Sequence, residues 1–181
     1  LEADAVLLGA VGHPAAEQVP PARRPEAGLL RLRRALGCYA NLRPARAYGP
    51  IVDCSPLKPE VVSGTDLMIV RELAGGLYYG KSGVTGSTNR RRATDTETYS
   101  VTEIGRIARV AFDLARSRRK MVTSVDKANV LTSSRLWREI VTQVAAEYPD
   151  VRLSHMLVDR AAMELVLRPG AFDVMLMSNL F

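Results

Sequence analysis

Met121-Val122-Thr123-Ser124-Val125-Asp126-Lys127 reads as a buried strand that delivers an acid and a base at its end. A helix follows from about Ser134 to Tyr148, with Leu136, Ile140, Val141, Val144 and Tyr148 on its apolar side. Pro149-Asp150 stops it. Val151–Val158 is again a strand, Arg160–Leu167 a helix and Phe172–Met177 a strand. Upstream, Ser100-Val101-Thr102-Glu103 fits a capping box. Behind it Ile104, Ile107, Ala108, Ala111, Phe112 and Ala115 follow one helical face. Strands alternating with helices imply βαβ units, an α/β fold and an at least partly parallel sheet. In such sheets, polar residues at the carboxyl ends of strands face the ligand crevice. Arg71-Glu72, Asp126-Lys127 and Asp159 sit at such ends.

The first half is less regular. Ala5-Val6-Leu7-Leu8-Gly9-Ala10-Val11-Gly12 is a short apolar run ending in glycine, which predicts a buried strand. Residues 13–27 carry Pro14, Pro20, Pro21 and Pro25 and read as a loop. Leu29, Leu32 and Leu36 then recur at helical spacing, and Gly37 closes a short amphipathic helix. Tyr39 to Leu42 reads as extended, ending at Arg43-Pro44. Turn formers fill residues 49–65, with a short helix at Pro59–Ser63. Leu67-Met68-Ile69-Val70 is a buried strand that delivers Arg71-Glu72. Gly75-Gly76 is a turn, Leu77-Tyr78-Tyr79-Gly80 reads as a strand, and polar residues 81–96 read as a mobile or protruding loop.

Composition narrows the function classes. A chain of 181 residues, 47% hydrophobic and 24% charged, can bury a real core and is neither disordered nor fibrous. No apolar run approaches the ~18 residues of a membrane-spanning helix. The opening Leu1-Glu2-Ala3-Asp4 carries no signal-peptide pattern. Cys38 and Cys54 form no CxxC pair and have no histidine at zinc spacing, which suits two thiols in a reducing cytoplasm. The net charge of +6 gathers in Arg90-Arg91-Arg92 and in Arg116-Ser117-Arg118-Arg119-Lys120. Aromatics are 6% of the chain, and none interleave with these runs, so bases would find no stacking platform. Both runs read as solvated surface, the second ending a helix where cations complement the dipole.

The candidate chemistry lies elsewhere. There is no Gly-x-Gly-x-x-Gly between a strand and a helix and no Walker sequence. The only histidines are His13 and His155, and His155 lies within a strand, where a structural role fits better than ligation. Arg33 on the first helix, Arg43 before a proline and Arg71 after a buried strand stand out. Arginine forks bind carboxylates bidentately, so three converging on one place would suit a di- or tricarboxylate. The alternative is three surface ion pairs. Tyr78 and Lys127 add a possible proton donor and base, and Asp159 a hard oxygen ligand.

The order of the segments carries a resemblance. Pro25-Glu26-Ala27-Gly28-Leu29-Leu30-Arg31-Leu32-Arg33, Ala40-Asn41-Leu42-Arg43-Pro44 and Ser55-Pro56-Leu57-Lys58 come first. Val70-Arg71-Glu72-Leu73-Ala74-Gly75-Gly76-Leu77-Tyr78-Tyr79-Gly80, Ser124-Val125-Asp126-Lys127-Ala128-Asn129-Val130-Leu131 and Val158-Asp159 follow. Together they resemble the 3-isopropylmalate dehydrogenase family, one of the metal-dependent β-decarboxylating dehydrogenases, over nearly the whole chain. Arg71-Glu72-Leu73-Ala74-Gly75-Gly76 resembles these enzymes more than the isocitrate enzymes.

The resemblance implies NAD-dependent oxidation and decarboxylation of (2R,3S)-3-isopropylmalate to 4-methyl-2-oxopentanoate in leucine biosynthesis. It implies that Arg33, Arg43 and Arg71 grip the substrate carboxylates, and that Leu29 and Val130 touch the isopropyl group. Tyr78 would help protonate the enolate and Lys127 would act in proton removal from the hydroxyl. Asp159 would touch substrate and ligate Mg2+ or Mn2+. Glu26 would lie near the nicotinamide, with Asn129 also on the cofactor. It also implies a homodimer in which Lys127 and Asp159 reach the neighbouring subunit's site and residues 73–99 supply a dimerisation arm.

The implied fold is incomplete. Residues 1–38 would be a remnant of the first, nucleotide-side domain, and residues 39–181 most of the second, dimer-forming one. The motif begun by Asn179-Leu180-Phe181 normally runs on into further metal-binding aspartates, so a central segment, inactive alone, is expected. His13, Leu157 and Arg160 depart from the family pattern. Two other readings compete: a paralogue acting on isocitrate, homoisocitrate or tartrate, and a non-catalytic basic binding module.

Overall fold

The computed structural model describes residues 4–20 and 23–181. They form two compact units, one up to Cys38 and one from Tyr39 to Phe181.

In the first unit, Pro25–Ala35 forms helix α1. Pro25 suits the first helical turn because its missing N–H would be unpaired there anyway. Gly37, at φ +64°, ends the helix in a backbone conformation that glycine adopts without strain. The apolar run before it does not become a strand. Residues 5–12 pair with nothing among the described residues, and Leu7 is fully exposed. An isolated extended segment has no ladder to satisfy its backbone, so composition alone does not make it a strand. The proline-rich stretch holds a 3-10 turn at Pro14–Gln18.

The second unit is built on a five-stranded sheet. Its strands are β1 (Ala40–Arg46), β2 (Asp66–Glu72), β5 (Met121–Asp126), β6 (Arg152–Leu157) and β7 (Val174–Met177). Their order is β1-β2-β7-β5-β6, with β1 antiparallel and the rest parallel. Helix α2 (Pro59–Val62) precedes β2. Helices α3 (Val101–Arg116) and α4 (Thr132–Ala145) cover one face of the sheet, and α5 (Val158–Leu167) the other. The alternation read from residues 100–177 is therefore present, and it makes a parallel sheet.

The two faces follow from period-two alternation along each strand. On the α3/α4 side, Val70, Val122, Val174 and Leu176 pack against Ile104, Ile107, Phe112, Trp137 and Val141. Phe112 stacks on Tyr148 at 5.0 Å between ring centres, and the Trp137 indole donates to Ser124 Oγ at 3.2 Å. On the α5 side, Leu67, Val125, Met175 and Met177 pack against Ala161 and Phe172. The Ser100–Glu103 capping box starts α3 as predicted, with Glu103 N–H donating to Ser100 Oγ at 3.2 Å.

Four further expectations are corrected. First, β1 does not stop at Pro44 but runs on to Arg46; as an edge strand it pairs only with β2, where a missing N–H is tolerated. Second, Leu77–Gly80 is part of a 3-10 turn, Gly76–Tyr79, rather than a strand. Third, residues 81–96, read as a mobile or protruding loop, contain regular structure. They hold a two-stranded antiparallel hairpin, β3 (Ser82–Thr85) and β4 (Arg92–Asp95), exposed along its whole length.

Fourth, the basic run after α3 is surface only in part: Arg116, Arg119 and Lys120 are exposed as expected, but they are tied into ion pairs and Arg118 is half-buried. Arg116 donates to Asp150 and Arg118 to both Asp66 and Asp173, while Arg119 caps the carbonyls of Gly170 and Phe172. Asp173 is fully buried and also accepts from Met121 N–H, so these cations fasten the amino ends of β2, β5 and β7. Arg90, Arg91 and Arg92 on the hairpin do remain exposed.

Candidate active site

The carboxyl end of the sheet gathers the chemistry. β1 pairs Arg43 with Ile69, two residues before Arg71, so both arginines project from the face that α5 covers. Arg71, Met177 and Val125 form one row across β2, β7 and β5. Arg43 and Arg71 together line a cavity of about 320 Å³ whose apolar wall includes Val125, Val158, Leu165, Met177 and Phe181. Two guanidinium groups over an apolar wall suit an anion that carries a hydrocarbon branch.

Arg71 is held from several sides. Its Nε–H donates to Asn179 Oδ1 at 3.0 Å, and Nη2 donates to the Asn179 carbonyl at 2.9 Å. Its guanidinium lies 5.4 Å from the centre of the Tyr78 ring, and Tyr78 itself is exposed. Neighbouring Glu72 points to the opposite face and is fully buried. It accepts from the N–H groups of Ala74 and Gly75 and from Arg106, which fixes the turn after β2. Tyr99 packs on that turn. Its ring leaves no room for a methyl at Gly75 or Gly76, and Gly76 also sits at φ +74°. Burial pushes the Tyr99 hydroxyl above its ordinary pKa, so it stays protonated.

Lys127 follows β5 and Asp159 lies in the first turn of α5, just after β6. Register places Asp126 opposite Leu157, and the Lys127 ammonium pairs with the Asp159 carboxylate within the same chain. Asp126, which the sequence reading named without a role, is buried and grips Arg138 through both oxygens, at 2.8 and 3.0 Å. It also accepts from Ala128 N–H at 2.9 Å and so shapes the turn that carries Asn129 and Val130, both exposed. Asn129 lines a separate open cleft with Arg135 and Arg138.

In the first unit, Glu26, Leu29 and Arg33 recur at i, i+3 and i+7 along one face of α1. Glu26 is exposed, while Leu29 and Arg33 are half-buried. Glu26 also lines a cavity with His13 and Arg24. Arg43 and Arg71 thus share one cavity in the second unit, whereas Arg33 belongs to the first.

His155 has a hydrogen bond at one ring nitrogen only, its buried Nδ1 having no hydrogen-bond partner among the described residues. The Thr142 hydroxyl donates to the Arg138 carbonyl at 2.8 Å and therefore accepts from His155 Nε2, 3.0 Å away. Burial lowers the pKa of His155, and nearby Arg138 lowers it further. The residues that sequence reasoning missed are Asn179, Tyr99 and Arg106. Asn179 had a signal, since it follows the carboxyl end of β7 within the resemblance motif. Tyr99 and Arg106 had none, because their roles depend on long-range packing.

Comparison with known proteins decides the family. The profile of the isocitrate/isopropylmalate dehydrogenase family matches residues 1–181. The chain belongs to that family. It is 56% identical to the 3-isopropylmalate dehydrogenase of Geobacillus kaustophilus, covering 99% of this chain and 49% of the relative. It is 57% identical to the Pseudomonas fluorescens protein of the same name, covering 99% of this chain and 50% of the relative. The chain therefore spans about half the length of the curated family members it matches. Among solved structures, the fold is similar to isocitrate dehydrogenase from Methylococcus capsulatus. That likeness has a TM-score of 0.74 and 36% identity, over 83% of this chain and 43% of the other. The TT0538 protein from Thermus thermophilus aligns with a TM-score of 0.76 and 32% identity, over 90% of this chain and 32% of the other. Among the described residues, no helix is long and apolar enough to cross a membrane.

Proposed function

We propose that this chain contributes substrate-holding and proton-transfer groups to an NAD-dependent 3-isopropylmalate dehydrogenase of leucine biosynthesis. The observation that carries the reading is the cavity shared by Arg43 and Arg71 against an apolar wall. Relatives at 56–57% identity carry the name 3-isopropylmalate dehydrogenase, which supports the choice of substrate.

In this reading Arg43 and Arg71, with Arg33, hold the two carboxylates of the substrate. Charge-assisted forks fix both position and orientation. Lys127, as the neutral amine, takes the hydroxyl proton, and NAD+ would supply the acceptor for the hydride of the hydroxyl carbon. The carboxylate β to the new ketone then departs as CO2, and its bonding electrons remain as an enolate. Tyr78 delivers a proton to the enolate carbon that lost CO2. Leu29 and Val130 select the isopropyl branch, a preference worth ~1–3 kcal/mol. Glu26 and Asn129 are the residues that would help hold NAD+.

A divalent cation, Mg2+ or Mn2+, would polarise the developing carbonyl. Asp159 offers one oxygen ligand, already paired with Lys127. Among the described residues no group of three His, Cys, Asp or Glu side chains is placed to hold a metal ion. These residues alone do not make a metal centre.

We also read the protein as a homodimer with shared sites. The exposed hairpin β3–β4 and the exposed Met163, Val166 and Leu167 of α5 support that reading. The basic-module alternative is weakened by the internal pairing of the run 116–120.

The test is a substrate panel. Residues 1–181 replace the matching segment of the Geobacillus kaustophilus relative, and NADH formation is followed with isopropylmalate, isocitrate, homoisocitrate and tartrate. Preference for isopropylmalate is expected. Equal or better turnover of isocitrate would overturn the assignment. The 181-residue chain by itself is expected to form no NADH.

A further inference from the structure

We infer that Asn179 is a positioning residue that presets the Arg71 guanidinium for its anion, with the Tyr99 hydroxyl as the anchor of Asn179. This inference rests on the reading of Arg71 as a carboxylate-binding group.

Asn179 is 2% exposed and follows β7, the strand beside β2. Its side-chain oxygen and its carbonyl accept the Nε–H and one terminal nitrogen of Arg71, at 3.0 and 2.9 Å. A guanidinium has five N–H donors in a planar fork. Two contacts from one residue fix that plane and leave the remaining donors for a ligand. A flexible arginine would have to give up side-chain entropy on binding, whereas a preset one has already done so.

Asn179 is itself over-determined. Its backbone N–H donates to Tyr99 Oη at 2.8 Å, and its Nδ2 donates to the Gly75 carbonyl at 3.0 Å. The Gly75 N–H is in turn held by buried Glu72. Tyr99 is 7% exposed and makes an edge-on contact with Trp137 at 5.4 Å, so the anchor is tied to the main core. An apolar residue at 179 would serve packing as well. An amide that spends its oxygen on an arginine and its nitrogen on the adjoining turn serves orientation.

Asn179→Ala and Tyr99→Phe separate positioning from substrate chemistry. The first readout is the Arg71 Nε–H signal by 15N NMR in the 181-residue chain, which needs no turnover. Asn179→Ala should turn an ordered, slowly exchanging signal into a mobile, fast-exchanging one, with the fold intact by amide spectra. Tyr99→Phe should do so partially. The second readout is steady-state kinetics in the chimeric enzyme. Asn179→Ala should raise KM for the dicarboxylate about tenfold and leave kcat within about twofold, the pattern of lost uniform binding. Asn179→Asp retains the acceptor for Arg71 and should recover most of the Arg71 order.

An unchanged Arg71 signal in a folded Asn179→Ala chain would overturn the inference, as would a loosened Arg71 with unchanged KM. If the chimera ignores isopropylmalate while Arg71 still loosens, the positioning role stands and the substrate assignment falls.

Discussion

Replacing Asp173 by Asn should destabilise the second unit far more than the near-isosteric change suggests. The Asp173 side chain is fully buried, with Oδ1 2.9 Å from Arg118 Nε and Oδ2 3.2 Å from Met121 N. An amide keeps only one of these two acceptors. If its oxygen stays on Arg118, its NH2 faces the Met121 N–H, and a buried donor loses its partner at a cost of about 1–3 kcal/mol. The bond to Arg118 also loses its charge assistance, roughly 1 kcal/mol more. Because Arg118 is about one-fifth exposed, its uncompensated charge is partly solvated, and the sum settles near 3 kcal/mol. With a urea slope of ~2 kcal/mol/M, the unfolding midpoint should fall by about 1.5 M. Asp66 shares the same guanidinium but is half exposed, so Asp66→Asn should shift the midpoint far less. The assay is urea unfolding followed by far-UV circular dichroism. A midpoint for Asp173→Asn within about 0.5 M of the parent would refute the reasoning, as would equal shifts for the two aspartates.

His155 should titrate below the ordinary histidine value, because burial and Arg138 oppose its charge while Asp126 only partly offsets them. The unfolded chain then takes the proton first, so stability present above about pH 6.5 is lost as pH falls toward the folded-state value. NMR should find the Nε2–H tautomer, and His155→Gln should flatten the stability profile in that window. Ser100→Ala removes the acceptor for Glu103 N–H and should cost about 1 kcal/mol in urea unfolding.

The sequence carried the second half well because long, periodic elements leave little choice. Ile104 to Ala115 can bury one face only as a helix, and the strands between helices must then run parallel. What it hid were features set by neighbours. Leu77-Tyr78-Tyr79 has strand-like composition but no strand beside it, and Gly76 at φ +74° turns the chain there. The β3–β4 hairpin is exposed on both faces, so it shows no apolar alternation to read. Its turn relies instead on Gly86 at φ +81° and Thr88 at φ +48°. Arg118 looked like a surface cation because its partner Asp173 is 55 residues away. The same holds at the candidate site. Arg71 stood out at a strand end, but its partner Asn179 is 108 residues away and joins it only through the β2–β7 pairing.

The central claim is that Arg43 and Arg71 act on one dicarboxylate from one cavity. It is tested most directly by kcat/KM for isopropylmalate in the chimeric enzyme bearing Arg43→Met, Arg71→Met or both. Each single change should lower kcat/KM roughly ten- to a hundredfold, the worth of ~1.5–3 kcal/mol in a charge-assisted contact. The double variant should show coupling between the two sites. Near-parental kcat/KM in either single variant, in a protein that folds normally, would contradict the account.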